Sequence, residues 1–110
     1  MTEAPDIKVR LAWRVVEQCC QWWQIAPDVD VKLSQFFEMN CCGCCYERKP
    51  GFYVICIARD QSIRDFIATV VHEMVHVRQY MTRKWRGDGE REAARLQYRL
   101  ADFMWRNGVL

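Results

Sequence analysis

The sequence contains no apolar run longer than the seven residues Phe52 to Ala58. A helix that crosses a bilayer needs about 20, so no membrane span is expected. Charge of one sign is missing too. Sixteen basic residues against 14 acidic ones leave a formal +2, which by itself implies neither a polyanion nor an anionic membrane as partner. The first ten residues carry Glu3 and Asp6 and no apolar stretch, unlike a secretory signal, so a cytoplasmic protein is expected. There is no internal repeat and no low-complexity tract beyond a short cysteine cluster. Histidine is scarce: His72 and His76 are the only two. What is present is ordinary for a folded chain. The 110 residues are 51% hydrophobic and 27% charged, which excludes a wholly disordered polypeptide and suits one domain over residues 1–110.

The apolar pattern predicts an α+β order. Asp6 caps a first helix over about Ile7 to Ile25, with Ile7, Leu11, Val15 and Cys19 recurring every four residues and Val16, Cys20 and Trp23 beside them. Pro27 ends it. Val29, Val31 and Leu33 alternate with polar neighbours and predict a strand that Phe36 and Phe37 extend. Cys41 to Tyr46 reads as a second strand interrupted by Gly43, and Glu47 to Gly51 as a turn around Pro50-Gly51. Phe52 to Ala58 reads as a strand buried on both faces. Ser62 with Asp65 resembles a capping box that opens a long helix to about Trp85. Gly87-Asp88-Gly89 breaks that helix. The last helix, about Glu90 to Asn107, buries Ala93, Leu96, Leu100 and Met104 and ends at Gly108.

Both histidines fall in the long helix, as His72-Glu73-Met74-Val75-His76, an H-E-x-x-H motif. Four residues make nearly one helical turn, so both imidazoles point the same way and can share one zinc ion at roughly 2.0–2.1 Å. Glu73 stands beside them, able to take a proton from a water that zinc acidifies towards a pKa of about 7. Amide hydrolysis is the natural expectation. Two protein ligands leave such a site one short. Asp88, Glu90 and Glu92 are the candidates for the third, and helical periodicity does not choose between Glu90 and Glu92. Acids at a helix N-terminus also have an electrostatic explanation.

With these residues in place, Phe52 to Leu96 resembles the small gluzincin-type zinc metallopeptidases, specifically the SprT-like and minigluzincin-like proteins of phages and prophages. The run Thr69 to Tyr80 around H-E-M-V-H-V, followed by Glu90-Arg91-Glu92-Ala93, carries the likeness. The resemblance implies a minimal zincin-like core: an N-terminal helix, a small two- or three-stranded antiparallel or mixed sheet, the H-E-x-x-H helix and a glutamate helix. It implies zinc held by His72, His76 and Glu90, the glutamate of an E-x-x-A pattern ending at Ala93, with Glu92 as the alternative ligand and Glu73 as the general base. It also implies a peptide or protein substrate laid on a strand edge from the Cys41–Ala58 region, and the host cytoplasm as location if the gene is a phage's. Ala94 stands where relatives have Asp or Asn, so a partner orienting a histidine has to come from elsewhere.

Tyr80, Tyr98 and Arg95 are candidates to steady a developing oxyanion, Tyr80 reading more readily as a packing residue. Gln79 and Arg78 read as surface groups or groups backing a ligand. Seven cysteines are many for this length. Cys41, Cys42, Cys44 and Cys45 form two overlapping C-x-x-C pairs, readable as packing thiols, as a second metal site completed by Cys19 and Cys20, or as redox thiols. Cys19, Cys20 and Cys56 individually read as core. Arg78 to Arg106 holds eight basic and four acidic residues. Arginines interleaved with acids usually form a solvated face, although a phosphate-facing stripe has the same composition. A catalytically weak, zinc-containing module that recruits a protein or nucleic acid is therefore the rival to the enzyme reading, and a cysteine-based redox or metal-buffering protein is a third.

Overall fold

The computed structural model describes residues 6–36 and 40–110. The first helix, α1 (Ile7–Trp23), starts where the Asp6 carboxylate accepts the Lys8 N–H at 2.9 Å. It ends two residues before the expected Ile25, because Gln24 turns left-handed (φ 53°) and Ile25 N–H bonds back to Cys20 at 3.0 Å. Its inner face buries Ala12, Val15, Val16 and Cys19, while Ile7 is left 73% exposed.

Three strands follow: β1 (Asp28–Ser34), β2 (Gly43–Lys49) and β3 (Phe52–Ala58). They form one mixed sheet in the order β1-β3-β2, with β1 parallel and β2 antiparallel to β3. The apolar run thus takes the middle, as expected of a strand with little polar surface. Tyr53, Ile55 and Ile57 join the common core on one face, and Val54 and Ala58 are buried on the other. Two expectations are corrected. Phe36 lies beyond the end of β1, its N–H bound to Asp60 at 2.7 Å, and Phe37 falls outside the described residues. Glu47, Arg48 and Lys49 belong to β2, not to the turn, because a ladder irregularity between Glu47 and Lys49 lets pairing continue to the turn at Pro50 and Gly51.

Helix α2 (Ile63–Thr82) opens as the capping pattern predicts, with Ser62 Oγ accepting from Asp65 N–H at 3.2 Å. It stops three residues short of Trp85. Arg83 adopts a left-handed conformation (φ 56°) and its N–H closes on Gln79 O at 2.8 Å. The Arg83 guanidinium then reaches both Glu47 oxygens at 3.0 Å, tying the end of α2 to β2. Helix α3 (Glu90–Arg106) packs along α2, burying Ala93, Ala101 and Met104, with Leu96 and Leu100 half-buried. The protein is an α+β fold; among the described residues it has three long helices and a three-stranded mixed sheet. Among the described residues no helix is long and apolar enough to cross a membrane.

Candidate metal centre

His72 and His76 leave the same face of α2, as their spacing requires, with ring centroids 5.0 Å apart. Glu90, the first residue of α3, places one carboxylate oxygen on each ring: Oε2 lies 2.8 Å from His72 Nε2 and Oε1 lies 2.8 Å from His76 Nε2. Among the described residues, these three alone form a group of at least three possible metal ligands.

The outer nitrogens of both rings are occupied. His72 Nδ1 meets Gln97 Oε1 at 2.5 Å, and His76 Nδ1 meets Gln79 Oε1 at 2.9 Å. The amide orientation of Gln79 follows from its other end. Gln79 Nε2 donates to Gly89 O at 3.0 Å and to Glu92 Oε1 at 2.9 Å, and both of those atoms only accept. Oε1 must therefore face His76, which puts the imidazole proton on Nδ1 and leaves a lone pair on Nε2. Gln97 Oε1 faces His72 Nδ1, and with the proton on that nitrogen His72 Nε2 likewise presents a lone pair. Two lone pairs and one carboxylate then converge without a donor among them. The arrangement requires either imidazolium protons or a cation, and two nitrogens with one oxygen suit a zinc ion. One donor atom from each of the three residues lies within 4.8 Å of the others, and the Glu90 side chain is exposed and free to adjust to an ion.

Glu73 lies next to this group and is only 5% exposed. Burial pushes its carboxyl up to about 7; His72 and His76 pull it down, and Glu90 raises it. Strand β2 crosses directly above it. A Cβ at Gly43 would come 2.7 Å from Thr69 Cγ2 and 2.9 Å from Glu73 Oε2, so only glycine lets the strand approach so closely. Gly89 is required for a similar reason: φ is +79°, and a side chain there would strike the Gln79 carboxamide. Above the imidazoles lies a cavity of about 350 Å³, lined by Gly43, Cys44 and Cys45 of β2 on one side and Tyr80 and Asp88 on the other.

The remaining candidates fall elsewhere. Glu92 is turned to Gln79 and lies 3.6 Å from Arg78, so it backs the His76 side of the group and does not touch either imidazole. Asp88 caps α3, its Oδ1 accepting from Glu90 N–H at 3.0 Å. Tyr98 donates to Asp65 at 2.7 Å beneath the Arg64 guanidinium, and Arg95 is exposed on α3, whereas Tyr80 lines the cavity. Gln79 is 4% exposed, a buried residue and not a surface one, and Arg78 stacks on Trp23 at 4.2 Å. Gln97 was not anticipated. Its signal was position: it follows Glu90 by seven residues, two turns along the same face of α3.

Among the described residues no cysteine belongs to a group of three possible ligands. Cys19 is core, its thiol pushed up to about 12 by burial; Cys45 packs against the core, and Cys44 sits opposite Cys56 in the β2–β3 register. No family model, curated protein or solved structure matches this chain.

Proposed function

We propose that the chain is a minimal zinc-dependent peptidase that hydrolyses a peptide bond with activated water. The observation that carries this reading is the convergence of both Nε2 atoms and the Glu90 carboxylate, beside a buried glutamate. A purely structural site has no use for Glu73. His72, His76 and Glu90 would hold the ion, which when bound supplies Lewis acidity to polarise a carbonyl and acidify water.

The chain's own residues supply the rest. Glu73 lies beside the three candidate ligands and lines the cavity above them. As carboxylate it takes a proton from the attacking water, and as carboxylic acid it returns one to the leaving amine. Its oxygens lie under β2, shielded from bulk solvent. β2 is also an edge strand. Cys42 O accepts from Ala58 N–H at 2.8 Å, so alternation along an antiparallel ladder turns the main-chain groups of Gly43 and Cys45 to the unpaired side. An extended peptide can add there and run across the cavity. Tyr80 lines that cavity and is the residue available to donate to a developing oxyanion.

Two variants test the reading together. Purified protein is expected to carry about one zinc per chain by elemental mass spectrometry. Glu90→Ala should lose it. Glu73→Gln should keep it, yet cleave an unstructured peptide about 10²- to 10⁴-fold more slowly. Absence of stoichiometric zinc, or a Glu73→Gln protein as active as the parent, overturns the proposal.

A further inference from the structure

The cavity over the imidazoles continues into a smaller niche of about 80 Å³, with which it shares His76, Tyr80 and Asp88. The niche has aromatic walls. Tyr80 stacks on Tyr53 with centroids 5.9 Å apart and meets Trp85 edge-on at 6.2 Å, so neighbours fix its ring plane. Asp88 stands at the rim. Its Oδ1 caps α3, but among the described residues its carboxylate forms no ion pair. The cations near it in sequence do not neutralise it: Arg83 is bound to Glu47, and Lys84 and Arg86 make no ion pair with it.

Aromatic faces attract a cation with an aliphatic stem, and an uncompensated carboxylate attracts its charged head. The niche adjoins a candidate ligand, His76, so whatever enters it belongs to a residue next to the scissile bond. Side chains of an added strand alternate, so one residue can point in while its neighbours point away.

We infer that this niche is a subsite for a lysine or arginine side chain of the peptide, selected by Asp88 and Trp85. The inference rests on the peptidase reading and narrows its substrate to peptides with a basic residue beside the cut. Both selecting groups are exposed, so water and salt screen them. The preference over an uncharged side chain of similar length should be about 3- to 30-fold.

The test has two arms. In the first, zinc-loaded protein digests a mixture of unstructured peptides, and mass spectrometry reads the residues flanking each cut. Lysine or arginine should be enriched at one position, and Asp88→Asn, which keeps an N-capping side chain, should remove most of the enrichment. In the second, N-acetyl-arginine amide and N-acetyl-norleucine amide are titrated into the full chain, and the Trp85 indole resonance is followed by NMR. Only the arginine amide should shift it, and Asp88→Asn or Trp85→Leu should weaken that response about three-fold or more. Cutting without basic preference overturns the subsite and leaves the peptidase standing. Zinc-loaded protein that cuts nothing, yet shows the arginine-specific shift, upholds the subsite and overturns the peptidase. Equal shifts with both amides, or a response indifferent to Asp88→Asn, overturn the subsite and mark the niche as a water-filled gap.

Discussion

Replacing Gln79 with leucine tests how the site is organised, because Gln79 is almost wholly buried and is not itself a candidate ligand. The substitution keeps the approximate volume and removes three hydrogen bonds: to His76 Nδ1 at 2.9 Å, to Gly89 O at 3.0 Å and to Glu92 at 2.9 Å. Without the first, His76 loses what fixes its tautomer and ring orientation. Loss of such a partner typically weakens a metal site about 10- to 100-fold, or about 1.4–2.8 kcal/mol. Without the other two, a carbonyl and a carboxylate at the start of α3 lose a donor. Gly89 is buried, and its stranded carbonyl costs about 1–3 kcal/mol, so the fold itself should weaken; Glu92 is 38% exposed and turns to water and Arg78. The assay is competition for zinc against a chromophoric chelator at fixed pH, alongside chemical unfolding of the metal-free protein. Glu92→Ala should weaken zinc less than Gln79→Leu, because Gln79 keeps two of its three partners. A folded Gln79→Leu protein whose zinc Kd stays within twofold of the parent would refute the claim that this carboxamide organises the site.

Gly43→Ala forces a methyl against Thr69 and the Glu73 carboxylate. It should cost about 1–3 kcal/mol, read as a fall in melting temperature of about 4–8 °C per kcal/mol, and an unchanged melting temperature would show that β2 does not press on Glu73. Glu73 should also give the metal-free protein a pH signature. Its folded carboxyl titrates higher than its ordinary value of 4.5, at about 7, so the folded state binds the extra proton. Stability is therefore fully present below the unfolded value and is lost as pH rises through the folded one, by about 3 kcal/mol. Urea unfolding in chelator between pH 4 and pH 8 should show that decline, and Glu73→Gln should flatten it.

Several parts of the molecule were legible in the chain because they depend on near neighbours. The Asp6 and Ser62 caps and the apolar rows of α2 all concern residues within a turn or two of each other. The convergence of His72 and His76 is local in the same sense. Lys84 and Trp85 suit a helix and carry the expected α2 to Trp85, whereas the left-handed Arg83, its N–H closed on Gln79 O, ends it three residues earlier. Edge strands and turns share polar residues, so only pairing with β3 assigns Glu47 to Lys49 to the ladder.

The choice of Glu90 shows the same boundary at the site. On an isolated helix, Glu90 and Glu92 flank the apolar face about equally, and periodicity has no third axis with which to separate them. The angle at which α3 meets α2, fixed by the packed core and by Gly89 resting on Gln79, turns Glu90 to the imidazoles and Glu92 to the carboxamide behind them. The sequence by itself determined the elements and the paired histidines, because a helix repeats every 3.6 residues wherever it is. Tertiary structure alone decided which acid faces them, which amides hold them and which strand edge lies above, because those are distances between elements that meet only after the core has packed.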